Sequence, residues 1–277
     1  MDWLTETKIP VGLWAARVFD WINATFGGAV DTVADALKTG FEGIVDGLLA
    51  VPPLALVAAF VAIAFAIQRR WQTPVLVLAG FLFILNQGYW EETIQSLTLV
   101  IMACTACMMI GVPLGIAGAH NPRFYQGIVP ILDLMQTLPT FVYLIPTVVL
   151  FGIGIVPGLI ATVIFVLPAP IRLTYLGISS TPTALVEAAQ AFGATRRQLL
   201  WKVELPSALP QIMAGLNQAI MLSLSMVVIA GLVGADGLGV PVVRALNTVN
   251  TALGFESGFI IVIVAIMLDR TLRVRRK

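Results

Sequence analysis

Side chains able to do covalent or proton-transfer chemistry are sparse in this sequence. His120 is the single histidine, so a His-paired metal site or a histidine proton relay has no second member. None of the lysines, Lys8, Lys38, Lys202 and Lys277, follows a glycine, which excludes a Gly-Lys-Ser/Thr phosphate loop and P-loop ATP hydrolysis by this chain. No Gly-x-Ser-x-Gly nucleophile elbow occurs. Cys104 and Cys107 have redox-motif spacing, but they sit one helical turn apart in an apolar stretch without a neighbouring base and read as small packing residues. Catalysis, with a metal or cofactor bound by this chain, is not expected.

Ionisable groups inside apolar stretches are equally few. Asp133 is the clearest, and Asp269 lies beside Arg270, where it can pair or reach the interface. An ion-coupled carrier usually needs more, although backbone carbonyls can bind sodium without any carboxylate, so that alternative stays open.

The elements that must position these groups are set by the solvent. Of 277 residues, 58% are hydrophobic and 11% charged, and the mean hydropathy is +0.95. So apolar a chain takes the bilayer as its solvent. The net charge of +1 offers no nucleic-acid surface. The opening Met1-Asp2-Trp3-Leu4-Thr5-Glu6 lacks the basic and apolar regions of a cleavable signal, so no removal is expected.

Apolar stretches long enough for membrane helices run near Leu54 to Ile67, Pro74 to Tyr89, Ile94 to Ala119, Ile128 to Phe151, Val156 to Ile171, Pro210 to Val233 and Phe255 to Leu268, about seven crossings in all. Alternating them gathers Arg69, Arg70, Arg123, Arg172, Arg196, Arg197, Lys202 and the tail Arg270, Arg273, Arg275, Arg276 and Lys277 on one face. Short basic loops stay in the cytoplasm, so that face is expected inside. The other face receives Glu91, Glu92, Asp236, Arg244 and Glu256, with the acidic N-terminal segment. The expectation is an N-terminus outside and a C-terminus in the cytoplasm.

Residues 1–50 form an extracytoplasmic tail in this scheme. There Val30, Val33, Ala34, Leu37, Phe41, Ile44, Val45, Leu48 and Leu49 recur at helical spacing, with Asp31, Asp35, Glu42 and Asp46 mostly on another face. An amphipathic helix on the outer surface follows, packed either against lipid or against the membrane domain formed by residues 51–277.

The most specific local chemistry lies in the loop 181–206. Thr181 can cap a short helix with Pro182 in its first position and Glu187 in its opening turns, and Gly193 can end it in the left-handed conformation. Thr195 and Gln198 have capping-box spacing for a second helix, which Pro206 is expected to stop. Physics alone leaves this knob readable as a tidy connection or as a docking element.

The residues add identity. Glu187-Ala188-Ala189, Gly193, then Val203-Glu204-Leu205-Pro206 resembles the EAA loop of ABC-importer permeases, with valine where that family often has isoleucine. Similarity to the glycine betaine/proline betaine branch extends through 132–139, Phe141 to Pro146, Phe151 to Gly154, Ile171 to Thr174, Leu224 to Ala230 and Gly237-Leu238-Gly239. The resemblance covers residues from about 91 to 270 and implies an all-α polytopic membrane protein, a type I ABC importer permease core of five helices with about two extra N-terminal spans. It implies a second permease copy, so a homodimer, ABC ATPase subunits that use ATP and magnesium, an extracytoplasmic solute-binding protein, and residence in the bacterial cytoplasmic (inner) membrane among its lipids. It also implies that Glu187, Ala188, Ala189, Gly193, Val203, Leu205 and Pro206 shape a coupling element that docks on the ATPase.

For the solute pathway, polar and aromatic residues in the spans are candidates: Asp133, Gln136, Thr137, Phe141, Tyr143, Asn217, Gln218, Ser223, Ser225 and Met226. Phe141 and Tyr143 suit a methylated ammonium through cation-π attraction. Helix-to-helix packing is the competing explanation for each, since small polar residues commonly join membrane helices.

Overall fold

The computed structural model describes residues 10–272. The opening hexapeptide, Lys8 and the basic tail Arg273, Arg275, Arg276 and Lys277 lie outside the described residues. Helix follows helix: α1 (Val11–Leu49), α2 (Pro53–Gln68), α3 (Gln72–Gln87), α4 (Trp90–His120), α5 (Pro122–Thr137), α6 (Thr140–Phe151), α7 (Ile155–Val166), α8 (Pro168–Ser179), α9 (Thr183–Ala191), α10 (Arg196–Leu199), a π turn over Leu200–Glu204, α11 (Leu205–Leu232), α12 (Gly239–Thr248) and α13 (Thr251–Leu272). No strand occurs among the described residues.

Long apolar helices that satisfy their own backbone are what a bilayer permits. Trp90–His120, Ile155–Ser179, Arg196–Leu232 and Thr251–Leu272 are each long and apolar enough to cross. Two further pairs qualify only as bent units, Gly12–Leu49 with Pro53–Gln68 at 103° and Pro122–Thr137 with Thr140–Phe151 at 98°. Helix α3 is a shorter apolar helix packed against α2.

The stretch expected as one span from Ile128 to Phe151 is therefore two helices. Pro139 explains the break: it holds Leu138 extended, at φ −65 and ψ 135, because its ring clashes with a helical predecessor. Pro139 itself is extended, at ψ 137, and the chain re-enters helix at Thr140 in a new direction. Pro52 does the same between α1 and α2. The amphipathic helix begins well before Val30, at Val11, and its C-terminal part buries Phe41 and Val45 while Trp14, Trp21 and Phe26 remain exposed. The packing alternative thus describes its last turns.

Helices α4, α8 and α11 form the centre, held by close approach at small residues. A Cβ on Gly115 would lie 2.6 Å from Thr174 Cβ and 2.7 Å from the Ile171 carbonyl oxygen, so α4 meets α8 backbone to side chain. A Cβ on Gly177 would lie 2.9 Å from Ala208 Cβ of α11 and 3.1 Å from its carbonyl oxygen. Cys104 and Cys107 are free and buried in the same core.

Two opposite ends result. At one, Gln68 Nε2 donates to the Thr271 carbonyl at 2.7 Å, beside Arg70 and Arg270. At the other, Glu91, Glu92, Asp236, Glu256 and Arg244 line a cavity of about 480 Å³. Tyr89 lies there, and burial first, then the Glu256 and Glu92 carboxylates, push its phenol pKa up against the opposing pull of Arg244. The chain is turned at this acidic end by Gly237 (φ +118), which lets the Leu238 N–H donate to the buried Ser96 hydroxyl at 2.8 Å.

Candidate functional site

The segment 181–206 sits at the end of α4 that carries His120, opposite Glu91 and Glu92 at its start. Its first helix, α9, starts one residue later than expected: Pro182 occupies the cap and makes no side-chain bond, while Thr181 is buried with its hydroxyl unpartnered. Thr181 is thus no cap. The proline already fixes the entry, since it needs no N–H partner.

Helix α9 ends in a Schellman closure. Gly193, at φ +75, donates to the Gln190 carbonyl at 2.9 Å, and Ala194 donates to the Ala189 carbonyl at 3.0 Å. Thr195 and Gln198 form the reciprocal capping box that opens α10, with bonds of 3.3 and 2.9 Å. Two helices meeting through consecutive caps make a rigid corner. On its outside lie Glu187, Ala188, Leu185 and Phe192, the last 93% exposed, with Ala189 half-buried. Phe192 and Leu185 thus present apolar side chains beside the small alanines.

The second helix does not stop at Pro206. It passes through the π turn, where the Leu205 N–H bonds back to the Leu200 carbonyl, and continues as α11 to Leu232. The wider turn shifts the bonding register just before the proline, so Pro206 falls in the first turn of α11, where a missing N–H costs nothing. The knob is consequently continuous with a core helix. Val203 and Leu205 are half-buried, Leu205 against Ile178, Ala208 and Ile212.

One joint here escapes sequence reading. Glu204 is buried at the end of the π turn, and its Oε2 lies 2.8 Å from Nε2 of His120, the last residue of α4. A carboxylate embedded beside an apolar run needs a partner, and that requirement is the one clue the sequence offered. His120→Ala leaves Glu204 buried and unpaired, and we expect a loss of about 1–3 kcal/mol. Denaturation of the purified protein checks this, with Glu204→Gln in the same background expected to restore part of the loss.

The pathway candidates separate by exposure. Asp133, Gln136, Thr137, Phe141, Gln218 and Ser225 are exposed, on α5, α6 and α11. Asn217 is half-buried with Oδ1 lacking a partner within the protomer. Tyr143, Ser223 and Met226 are enclosed: the Tyr143 hydroxyl donates to the Met135 carbonyl across the α5–α6 bend, and Ser223 meets Cys104 Sγ at 3.6 Å. Asp133 is not an isolated buried charge, because Arg172 Nη2 lies 2.5 Å from its Oδ1. Arg172 in turn belongs to α8 rather than to a loop.

Four helices long and apolar enough to cross a bilayer, with two bent pairs beside them, define a polytopic membrane protein. Residues 111–269 match the family model for the binding-protein-dependent transport system inner membrane component, and the chain belongs to that family. It is 46% identical to the glycine betaine transport system permease protein OpuAB of Bacillus subtilis (strain 168), over 98% of this chain and 96% of that one. It is 44% identical to the glycine betaine/proline betaine transport system permease protein ProW of Escherichia coli (strain K12), over 98% of this chain and 76% of the relative. Among solved structures, an inward-facing MetNI methionine ABC transporter shares the fold, with a TM-score of 0.58 at 23% identity over 63% of this chain and 88% of that one.

Proposed function

We infer that this chain is the permease subunit of an ATP-driven importer for glycine betaine or a closely related quaternary amine. The observation that carries this reading is 46% identity along nearly the whole of a glycine betaine permease. Other similar permeases are named for proline betaine, carnitine and trimethylamine N-oxide, all small solutes with a methylated nitrogen.

In this reading the knob at 181–206 docks in a cleft of an ABC ATPase, with Glu187, Ala188, Ala189 and Gly193 shaping the docking element and Val203, Leu205 and Pro206 fixing its return to the membrane. ATP and magnesium are used by that partner. A second permease copy completes the pathway, and an extracytoplasmic binding protein delivers the solute. The basic end is cytoplasmic, by retention of its arginines, and residues 1–50 lie outside. ATP binding closes the ATPases, moves the knobs and turns the pathway outward. The pathway candidates narrow to those with an open face: Asp133, Gln136, Thr137, Phe141, Gln218 and Ser225.

Reconstitution with the cognate ATPase and binding protein tests this. Labelled glycine betaine is expected to accumulate only with ATP and to be competed by proline betaine and carnitine. Uptake that persists without the ATPase and collapses with the sodium or proton gradient contradicts it and favours an ion-coupled carrier.

A further inference from the structure

We propose that Arg172 and Asp133, together with the stacked rings of Tyr125 and Tyr175, form a site in the membrane pathway that binds a zwitterion bearing a quaternary ammonium and a carboxylate. The inference rests on the importer reading above and extends it to the selectivity of the permease itself.

The pair is unusual in its position. Arg172 lies on α8, a helix that ends at Ser179, which places it about 10 Å inside the basic end at 1.5 Å of rise per residue. Charges at such depth are costly against lipid and persist where they face a pathway or one another. Here they face one another, Arg172 Nη2 meeting Asp133 Oδ1 at 2.5 Å, and the side chains remain 38% and 56% accessible, so the pair is left open within the protomer. Arg172 Nε is buried without a partner, so an arriving carboxylate is met through the accessible remainder of the guanidinium.

The second feature is aromatic. Tyr125, on α5 with Asp133, and Tyr175, one turn beyond Arg172 on α8, stack with centroids 3.5 Å apart and planes within 2°. The Tyr125 phenol lies within electrostatic reach of both Arg172 and Asp133. A methylated ammonium has no hydrogen to donate, so it is recognised by an anion and by aromatic faces. A carboxylate is recognised by the fork of an arginine. The cluster brings all three kinds of group together on two helices; Tyr125 and Tyr175 turn one face each to the other and Tyr125 also packs against Gly118, so the aromatic contribution falls to what these half-buried rings leave open.

The electrostatics favour a solute with both charges. When empty, the ion pair closes on itself. A zwitterion entering between the two side chains exchanges one ion pair for two and keeps the site neutral throughout. A simple cation such as choline satisfies Asp133 but takes it from Arg172 and supplies no carboxylate in return, so it gains less from the site than a zwitterion does.

The test uses full-length permease in vesicles with its ATPase. Leu176 lies four residues after Arg172 on the same face of α8 and is 53% exposed, so Leu176→Cys offers a thiol beside the site, while native Cys104 and Cys107 are buried. Methanethiosulfonate labelling is measured against glycine betaine, choline and sucrose. At about ten times the half-protecting concentration, glycine betaine is expected to slow labelling about tenfold. Choline and sucrose leave it unchanged, and both Arg172→Gln and Asp133→Asn abolish the protection. Protection by choline equal to that by betaine overturns the zwitterion selectivity. Absence of betaine protection in vesicles whose ATP-driven betaine uptake is intact overturns the site while the importer reading stands. Absence of both overturns the two together.

Discussion

Gly193→Val is expected to lower ATP-driven uptake by about tenfold or more while the protein remains folded and inserted, because holding a β-branched residue in the left-handed region costs about 1–2 kcal/mol. The penalty is conformational rather than steric. A Cβ at Gly193 would touch nothing within 4 Å, so no neighbour needs to move, but φ +75 is a value that side chains resist. The closure at Gly193 and Ala194 sets the angle between α9 and α10, and an opened closure misplaces Glu187, Ala188 and Phe192 together. Gly193→Asn separates this from any effect of bulk: asparagine visits the left-handed region readily, so this variant should retain most uptake. Equal loss in both variants points to contact at the ATPase surface rather than to the turn. Unchanged uptake in the valine variant counts against the knob as a coupling element.

Gly239→Ala is expected to have the largest effect on folding. A Cβ there would overlap the Val227 carbonyl oxygen and lie 3.0 Å from the Val227 carbonyl carbon and 3.1 Å from Val228 Cα, so every obstacle is main chain of α11. Main chain cannot rotate away as a side chain does, and α12 must lift off α11, at a cost of about 3 kcal/mol or more. The turn bound through Ser96 would lift with it. Little folded protein should survive detergent extraction, whereas Gly43→Ala on the exposed flank of α1, with nothing within 4 Å, is expected to be neutral or stabilising by about 0.5–1 kcal/mol. Size-exclusion profiles and unfolding midpoints of the two variants check the contrast.

These cases show what the sequence made legible. Gly193, Thr195 and Gln198 act through neighbours one to four residues away, and local capping chemistry was enough to place them. Membrane helices announce themselves because each apolar run must satisfy its backbone alone. Proline was harder. Pro139 and Pro206 read alike as helix breakers, yet one bends a span by 98° and the other sits harmlessly in the first turn of a helix. The difference lies in what precedes them: Leu138 adopts an extended conformation, whereas a π turn before Pro206 re-registers the hydrogen bonds.

Pairs distant in sequence were invisible for a different reason. Asp133 with Arg172 and His120 with Glu204 are separated by 39 and 84 residues; the first meeting depends on how α5 packs on α8, the second on how α4 meets the π turn before α11. His120 read as an interfacial loop residue because nothing nearby in sequence needed it. Tyr143, Ser223 and Met226 qualified for the pathway by residue type, but helix rotation, which type does not encode, encloses them within the protomer.

Cross-linking from the knob shows whether residues 181–206 dock on the ATPase during transport. Phe192→Cys places a thiol at a 93% exposed position, and the buried native cysteines do not compete for reagent. During ATP-driven uptake a bifunctional cross-link from residue 192 to the ATPase subunit is expected, with a yield that changes between nucleotide-free and ATP-bound states. Uptake at full rate with residue 192 freely labelled and never joined to the ATPase would contradict it.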